Sequence, residues 1–257
     1  MLGAIAGDII GSIHEFGPVP PADTPLFGPG NHFTDDTVLT LATARTLLGD
    51  VDYATAYREG YQAHPDQAWG LRFMKWAREP DRGPYESFGN GSAMRVSPIG
   101  FWARARDEAI EEAERSAEVT HNHAEGIRGA QATADAIWLA RQGLTGDAIL
   151  EQVRFEYGYD LDESVAELQQ TARYNEICQG TVPPAIRIAC EAEDFEHAMR
   201  LALSLDADTD TLACIVGGIA EARFGVPEWI ATASRSRLSD DQRVLLDRFQ
   251  VAVQARQ

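Results

Sequence analysis

The stretch LGAIAGDIIGSIHEF, residues 2–16, carries two interleaved periods. Leu2, Ile5, Ile9 and Ile13 recur at steps of three and four, the spacing that stacks side chains on one face of an α-helix. Gly3, Gly7 and Gly11 form a second stripe at steps of four. Glycine in a helix interior costs about 1 kcal/mol relative to alanine, so three in register need a compensating contact. Either another backbone packs very close to that face, or a ligand lies against it. The apolar spacing returns at residues 37–48, 126–142 and 195–205, with Phe195, Ala198, Met199 and Ala202 the clearest run. Leu212, Ile215, Val216 and Ile219 repeat it, and Ser239-Asp240-Asp241-Gln242 reads as a capping box opening a last helix. No segment alternates β-branched residues in the manner of a strand. The pattern predicts an all-α protein, a single compact multi-helix domain over residues 1–257. Gly17–Gly30 and Glu79–Ser97 are the long irregular regions, and irregular segments of that length inside a compact domain usually carry function.

The chain is 44% apolar, as an ordinary globular protein with a sizeable core should be. Asp8 interrupts the first apolar run, no basic leader precedes it, and no stretch is apolar for long enough to span a bilayer. Cys178, Cys190 and Cys214 are odd in number and widely spaced, which excludes a CxxC metal site and points to buried thiols in a reducing cytoplasm. The net charge is −18, and Lys75 is the one lysine. Such a surface repels phosphate backbones, which argues against sequence-independent nucleic-acid binding, and concentrates divalent cations.

Two clusters break the apolar pattern. Thr34-Asp35-Asp36-Thr37 opens the helix at Val38, and Asp208-Thr209-Asp210-Thr211, preceded by Asp206, opens the helix at Leu212. A helix needs one capping residue, and each cluster offers several. Either cluster alone reads equally well as a cap. The same chemistry at two helix starts points instead to a shared site. Carboxylate and hydroxyl oxygens suit magnesium, manganese or calcium and not zinc. An EF-hand starting at Asp206 would need Gly and Glu where Thr211 and Gly217 stand, and a DDxxD motif would need an acid where Leu39 stands.

A third constellation is SFGNGSAMRVSPIG, Ser87 to Gly100. Gly89 and Gly91 free the backbone to turn N–H groups toward an anion, Ser87 and Ser92 could add hydroxyl donors, and Phe88 could stack on a base. It is neither a Walker loop nor a GxGxxG turn, since no Gly-Lys-Ser/Thr follows and no strand precedes it. Thr120-His121-Asn122-His123 suits a surface or capping role, and Glu15 by itself reads as an ordinary exposed acid.

Together these residues resemble the ADP-ribosylglycohydrolase family, all-helical magnesium-dependent enzymes that include the dinitrogenase-reductase-activating glycohydrolase. GAIAGDIIGSIHE (Gly3 to Glu15) is similar to the family's opening helix, and FTDDT (Phe33 to Thr37) to its first metal motif. GNGSAMRVSPIG (Gly89 to Gly100) is similar to its phosphate-binding segment, Thr120-His121 falls where a ribose-contacting histidine is expected, and VPPAI (Val182 to Ile186) and DTDTLA (Asp208 to Ala213) complete the set. The resemblance implies a pair of magnesium ions, with manganese as a substitute, on Thr34, Asp35, Asp36, Asp208, Asp210 and Thr211. It further implies that Ser87, Phe88, Gly89, Asn90, Gly91 and Ser92 hold the diphosphate and adenine, with His121 near the adenosine ribose and Glu15 on a mobile loop beside the distal ribose. Asp206-Ala207 stands where the family usually has Gly-Gly, which would add a carboxylate beside the metals.

The expected activity is hydrolysis of the glycosidic bond between ADP-ribose and a modified side chain or small acceptor, by a cytoplasmic monomer without membrane attachment. Cleavage at the distal ribose passes through a cation-like centre, chelated ribose hydroxyls orient the sugar, and Glu15 or Asp208 takes the proton. The alternatives are an ADP-ribose-binding sensor without turnover and a magnesium-dependent hydrolase of another nucleotide.

Overall fold

The computed structural model describes residues 1–256. Its helices are α1 (Leu2–Gly11), α2 (Asp35–Leu47), α3 (Tyr53–Ala63), α4 (Leu71–Arg78), α5 (Gly91–Met94), α6 (Ser97–Trp102), α7 (Arg106–Glu118) and α8 (Ala124–Arg141). They continue as α9 (Gly146–Tyr157), α10 (Val165–Thr171), α11 (Cys178–Glu191), α12 (Phe195–Leu203), α13 (Thr209–Phe224), α14 (Glu228–Arg235) and α15 (Asp240–Arg256). Among the described residues there is no strand, only an isolated antiparallel bridge between Gly89 and Ile177.

The glycine stripe of α1 is answered by a backbone. A β-carbon on Gly3 would lie 2.3 Å from the Gly217 carbonyl oxygen, one on Gly7 1.9 Å from that of Ala213, and one on Gly11 2.5 Å from the Asp210 Cα. The reciprocal holds at Gly217, whose added β-carbon would sit 2.1 Å from the Gly3 carbonyl oxygen. α1 and α13 therefore cross at a distance only glycine permits, and the dispersion contacts of that seam offset the helix-propensity cost of the stripe. Every residue of α1 is buried. Ala6 and Ile10 join the core of α8, α9, α11, α12 and α13, Ala4 joins that of α2–α4, and Ile5 and Ile9 join that of α15.

α1 stops earlier than its apolar spacing predicts. The Asn31 side-chain amide donates to the carbonyls of Ile9 (2.8 Å) and Ile10 (3.2 Å), and the Ser12 hydroxyl donates back to Ile9 (2.9 Å). These groups satisfy the last-turn carbonyls, so the chain turns over residues 12–16 and leaves Ile13 46% exposed. Glu15 thus sits on a turn beyond the helix. The capping box of α15 is present: the Ser239 amide donates to Gln242 Oε1 (2.9 Å) and the Gln242 amide to Ser239 Oγ (3.3 Å). The region Glu79–Ser97 is irregular except for the single turn of α5 and for Ser97 itself, which opens α6. All three cysteines are buried free thiols, and burial pushes that of Cys178 up to about 12. No helix among the described residues is long and apolar enough to cross a membrane.

Candidate active site

The α1–α13 seam brings the N-terminus of α13 beside that of α2. Asp8, the one acid of α1, fastens α2 in place. Its carboxylate accepts from the Thr34 amide (3.0 Å), the Thr34 hydroxyl (2.7 Å), the Thr37 amide (3.1 Å) and the Thr37 hydroxyl. Thr34 is the N-cap of α2, its hydroxyl oxygen accepting from the Asp36 amide (3.2 Å), and it turns toward Asp8. The two acid clusters meet where the Thr211 hydroxyl donates to Asp36 Oδ1 (3.4 Å).

Asp208 occupies the N-cap position of α13 but makes no capping bond. Its Oδ2 instead accepts from the Asn90 side-chain amide (2.8 Å), which also donates to the Thr181 hydroxyl (3.2 Å). Glu15, Asp208 and Asp210 place carboxylate oxygens within 4.8 Å of one another, a grouping that could hold a metal ion. Burial, and after it the neighbouring carboxylates, push Asp35, Asp36 and Asp208 well above the usual carboxylate range. Asp210 and Glu15 rise to about 7, chiefly through burial. Acids this close cannot all ionise without a cation among them. Asp36 Oδ2 is buried and has no hydrogen-bond partner. An orphaned carboxylate oxygen amid hard oxygen donors fits a divalent cation of the magnesium or manganese kind.

These acids line a cleft of about 570 Å³, with Glu15, Asp35, Asp36, Asp208, Asp210 and Thr211 in its wall. Ser87, Gly89, Asn90, Gly91 and His121 form another part of its wall, and Trp69–Phe73 a further part. The glycine turn is clamped to the start of α11. The Asn90 amide donates to the Glu176 carbonyl (2.9 Å), the Cys178 amide to the Phe88 carbonyl (2.9 Å), and the Gly89 amide to Ser87 Oγ (3.2 Å). Gly126 lets α8 approach, since a β-carbon there would lie 2.6 Å from the Ser87 carbonyl oxygen. His121 is buried, 5% exposed, with Nδ1 2.7 Å from the Thr120 hydroxyl. Burial first, then Arg95 and Arg72, hold its pKa well below the ordinary imidazole value, so the ring is neutral.

Some predicted residues stand apart from the cleft wall. Phe88 is 39% exposed, does not line the cleft, and packs on the His123 ring, 5.2 Å between centroids. Ser92 is buried beneath the turn, its hydroxyl donating to the Gly126 carbonyl (2.7 Å). His123 caps α8 by accepting from the Glu125 amide. Asp206 and Ala207 line a neighbouring cavity of about 530 Å³ with Thr181 and Leu212, so this extra carboxylate is not in the wall of the acid cleft. Asn90, expected beside the ligand, also holds Asp208. Residues outside the expected set complete the site: Asp8 holds the start of α2, Arg95 donates to Thr120 behind His121, the Tyr85 ring packs on His121, and Glu176 lines the cleft with its Oε1 accepting from the Tyr174 hydroxyl (2.9 Å). Asp8 carried a legible signal, a lone charge inside a glycine-striped apolar helix.

A profile of the ADP-ribosylglycohydrolase family matches residues 1–256. The chain is 26% identical to the mouse (Mus musculus) ADP-ribosylhydrolase ARH3, over 89% of this chain and 83% of that one. It is 27% identical to the ADP-ribosylarginine hydrolase Tri1 of Pseudomonas putida (strain GB-1), over 92% and 74%. A solved structure described as an ADP-ribosylglycohydrolase-related protein complex shares the fold, with a TM-score of 0.72 at 23% identity, covering 98% of this chain and 95% of that one. The protein belongs to the ADP-ribosylglycohydrolase family of glycosidic-bond hydrolases.

Proposed function

We propose that the cleft hydrolyses the bond between ADP-ribose and an acceptor, a modified protein side chain or a small molecule, with two magnesium ions on Asp35, Asp36, Asp208, Asp210, Thr211 and Thr34; manganese would substitute. The observation that carries the reading is the orphaned Asp36 Oδ2 among mutually repelling acids, in one cleft with the Ser87–Gly91 turn and His121. The cations, when bound, would supply Lewis acidity toward the ribose hydroxyls and a bound water. The protein's own part is positional. Asn90 orients Asp208, Asp8 orients the start of α2, and His121 with the glycine turn would hold the adenosine and diphosphate end. Glu15, half-buried and pushed up to about 7, would take the proton of the attacking water on a carboxylate oxygen, a role that Asp208 could fill instead. Because the site draws on both α1 and α13, the chain would act as one domain, and we expect a cytoplasmic monomer. Incubation with ADP-ribosylated acceptors and analysis of the products tests this. Release of intact ADP-ribose and unmodified acceptor is expected. Release of AMP or phosphate, or stoichiometric binding without turnover, would overturn it.

A further inference from the structure

We propose that Arg95 and Thr120 are positioning residues that fix His121 as a neutral ring protonated on Nε2, so that the ring is a ready hydrogen-bond donor toward a ligand beside the Gly89–Gly91 turn. Arg95, the C-cap just after α5, is 0% exposed and lies over the Tyr57 ring at 4.2 Å. It makes no ion pair among the described residues; its Nη2 donates to the Ser116 carbonyl (2.6 Å) and to Thr120 Oγ1 (3.0 Å). A guanidinium can only donate, so Thr120 Oγ1 accepts from it. The threonine hydroxyl then has one proton to place, and its hydrogen-bond neighbour is His121 Nδ1 at 2.7 Å. If Nδ1 carried the ring proton instead, the Thr120 hydroxyl would be a fully buried donor with nothing to accept it. Nδ1 is therefore the acceptor and Nε2 the protonated nitrogen.

That nitrogen faces the cleft. β-Carbons built on Gly89 and Gly91 would lie 3.6 and 3.5 Å from His121 Nε2, so the ring edge is turned to the open side of the glycine turn. The frame behind it is rigid: the Tyr57 hydroxyl bridges Thr43 Oγ1 (3.0 Å) and Ser116 Oγ (2.7 Å), tying Arg95's support to α2, α3 and α7. Arg95 and Arg72 oppose a positive charge on the ring, and the Tyr85 ring beside it, 6.0 Å between centroids, stays neutral because burial pushes its hydroxyl up to about 12. A histidine near an anionic ligand would ordinarily gain a proton and change its bonding with pH. Here burial and the two arginines oppose that gain of a proton, which favours the neutral donor.

That the ligand is ADP-ribose rests on the function proposed above; the tautomer does not. The test is imidazole ¹⁵N NMR of the full-length protein, with the His121 resonances assigned by His121→Gln. The ring should show the Nε2–H tautomer and no titration between about pH 6.5, the ordinary imidazole value, and about pH 8. Thr120→Val should lose that single tautomer, and Thr120→Ser should restore it. A wild-type ring that is Nδ1–H, or that becomes imidazolium in that window, overturns the proposal even if Thr120→Val does not fold; so does a folded Thr120→Val that keeps the Nε2–H form. Calorimetry with ADP-ribose then separates the two readings. A weakening of about three- to tenfold in Thr120→Val, reversed in Thr120→Ser, is the scale of one hydrogen bond and supports the relay as part of the ligand site. An unchanged affinity alongside the predicted NMR pattern upholds the tautomer lock and removes His121 from ADP-ribose binding.

Discussion

Replacing Gly7 by alanine sets local propensity against tertiary packing. On propensity alone the change should stabilise α1 by about 1 kcal/mol. In the folded protein the new methyl would meet the Ala213 carbonyl oxygen at 1.9 Å and the Ala213 carbonyl carbon at 2.3 Å, both backbone atoms of α13. Ordinary contact begins at 3.4 Å, so the helices must part by the difference, about 1.5 Å. Overpacking of this kind typically costs about 1–3 kcal/mol, enough to reverse the propensity gain. The displaced element begins with Asp208, Asp210 and Thr211, and a misplacement of about 1 Å can cost on the order of 10²-fold in rate. Gly7→Ala should therefore melt below wild type and lose turnover by about that factor. Gly83→Ala, where an added β-carbon meets nothing within 4 Å, serves as the control. Urea and thermal melts paired with initial rates make the assay. A Gly7→Ala protein as stable and as active as wild type would refute the claim that the α1–α13 seam sets the site.

Asp36→Ala and Asp210→Ala should lower turnover by orders of magnitude, whereas losing a cap would cost only about 1 kcal/mol of stability; wild-type rates with a lowered melting temperature would return these acids to capping. Glu15→Gln keeps the shape but cannot take a proton, so turnover should fall about 10²–10⁴-fold while ADP-ribose affinity by calorimetry stays near wild type; a matching loss of metal binding would make Glu15 a ligand. The chelated protein should gain stability as pH falls from about 8 to about 5. Glu15 and Asp210 have folded pKa values raised to about 7, so the folded state binds more protons than the unfolded state in this window, and stability is lost as pH rises through it. A chelated protein whose melting temperature is flat across that window would refute the crowding of the acids.

Local pattern made the helices and the chemistry of the acid clusters legible, while long-range partners decided the rest. The stripe Gly3, Gly7, Gly11 announced a close approach, but only the fold says that α13 and not a ligand makes it. Ile13 continued the apolar spacing, yet α1 ends at Gly11 because Asn31, a residue outside the helix, takes its carbonyls. The repeated Thr/Asp chemistry at two helix starts foretold that they meet, as the Thr211–Asp36 bond shows. Asp208 stands at the cap position of its helix without capping it, because its side chain bonds Asn90, while Asp210 Oδ1 accepts from the Thr211 amide (2.8 Å). Asn90 reads in sequence as a turn residue between two glycines, and nothing local reveals a partner 118 positions away. That Phe88 packs on His123 instead of lining the cleft depends on where the start of α8 lies, which local sequence does not show.

On the function proposed above, the acids at the starts of α2 and α13 hold the cations on which ADP-ribosyl hydrolysis depends. Manganese titrated into chelated protein, with bound metal and released ADP-ribose recorded on the same sample, tests it most directly. Release should be absent without metal, appear as the site fills and reach its plateau at two ions per chain, and the melting temperature should climb with it because binding favours the folded state. Full release of ADP-ribose from protein carrying no metal would rule out that dependence.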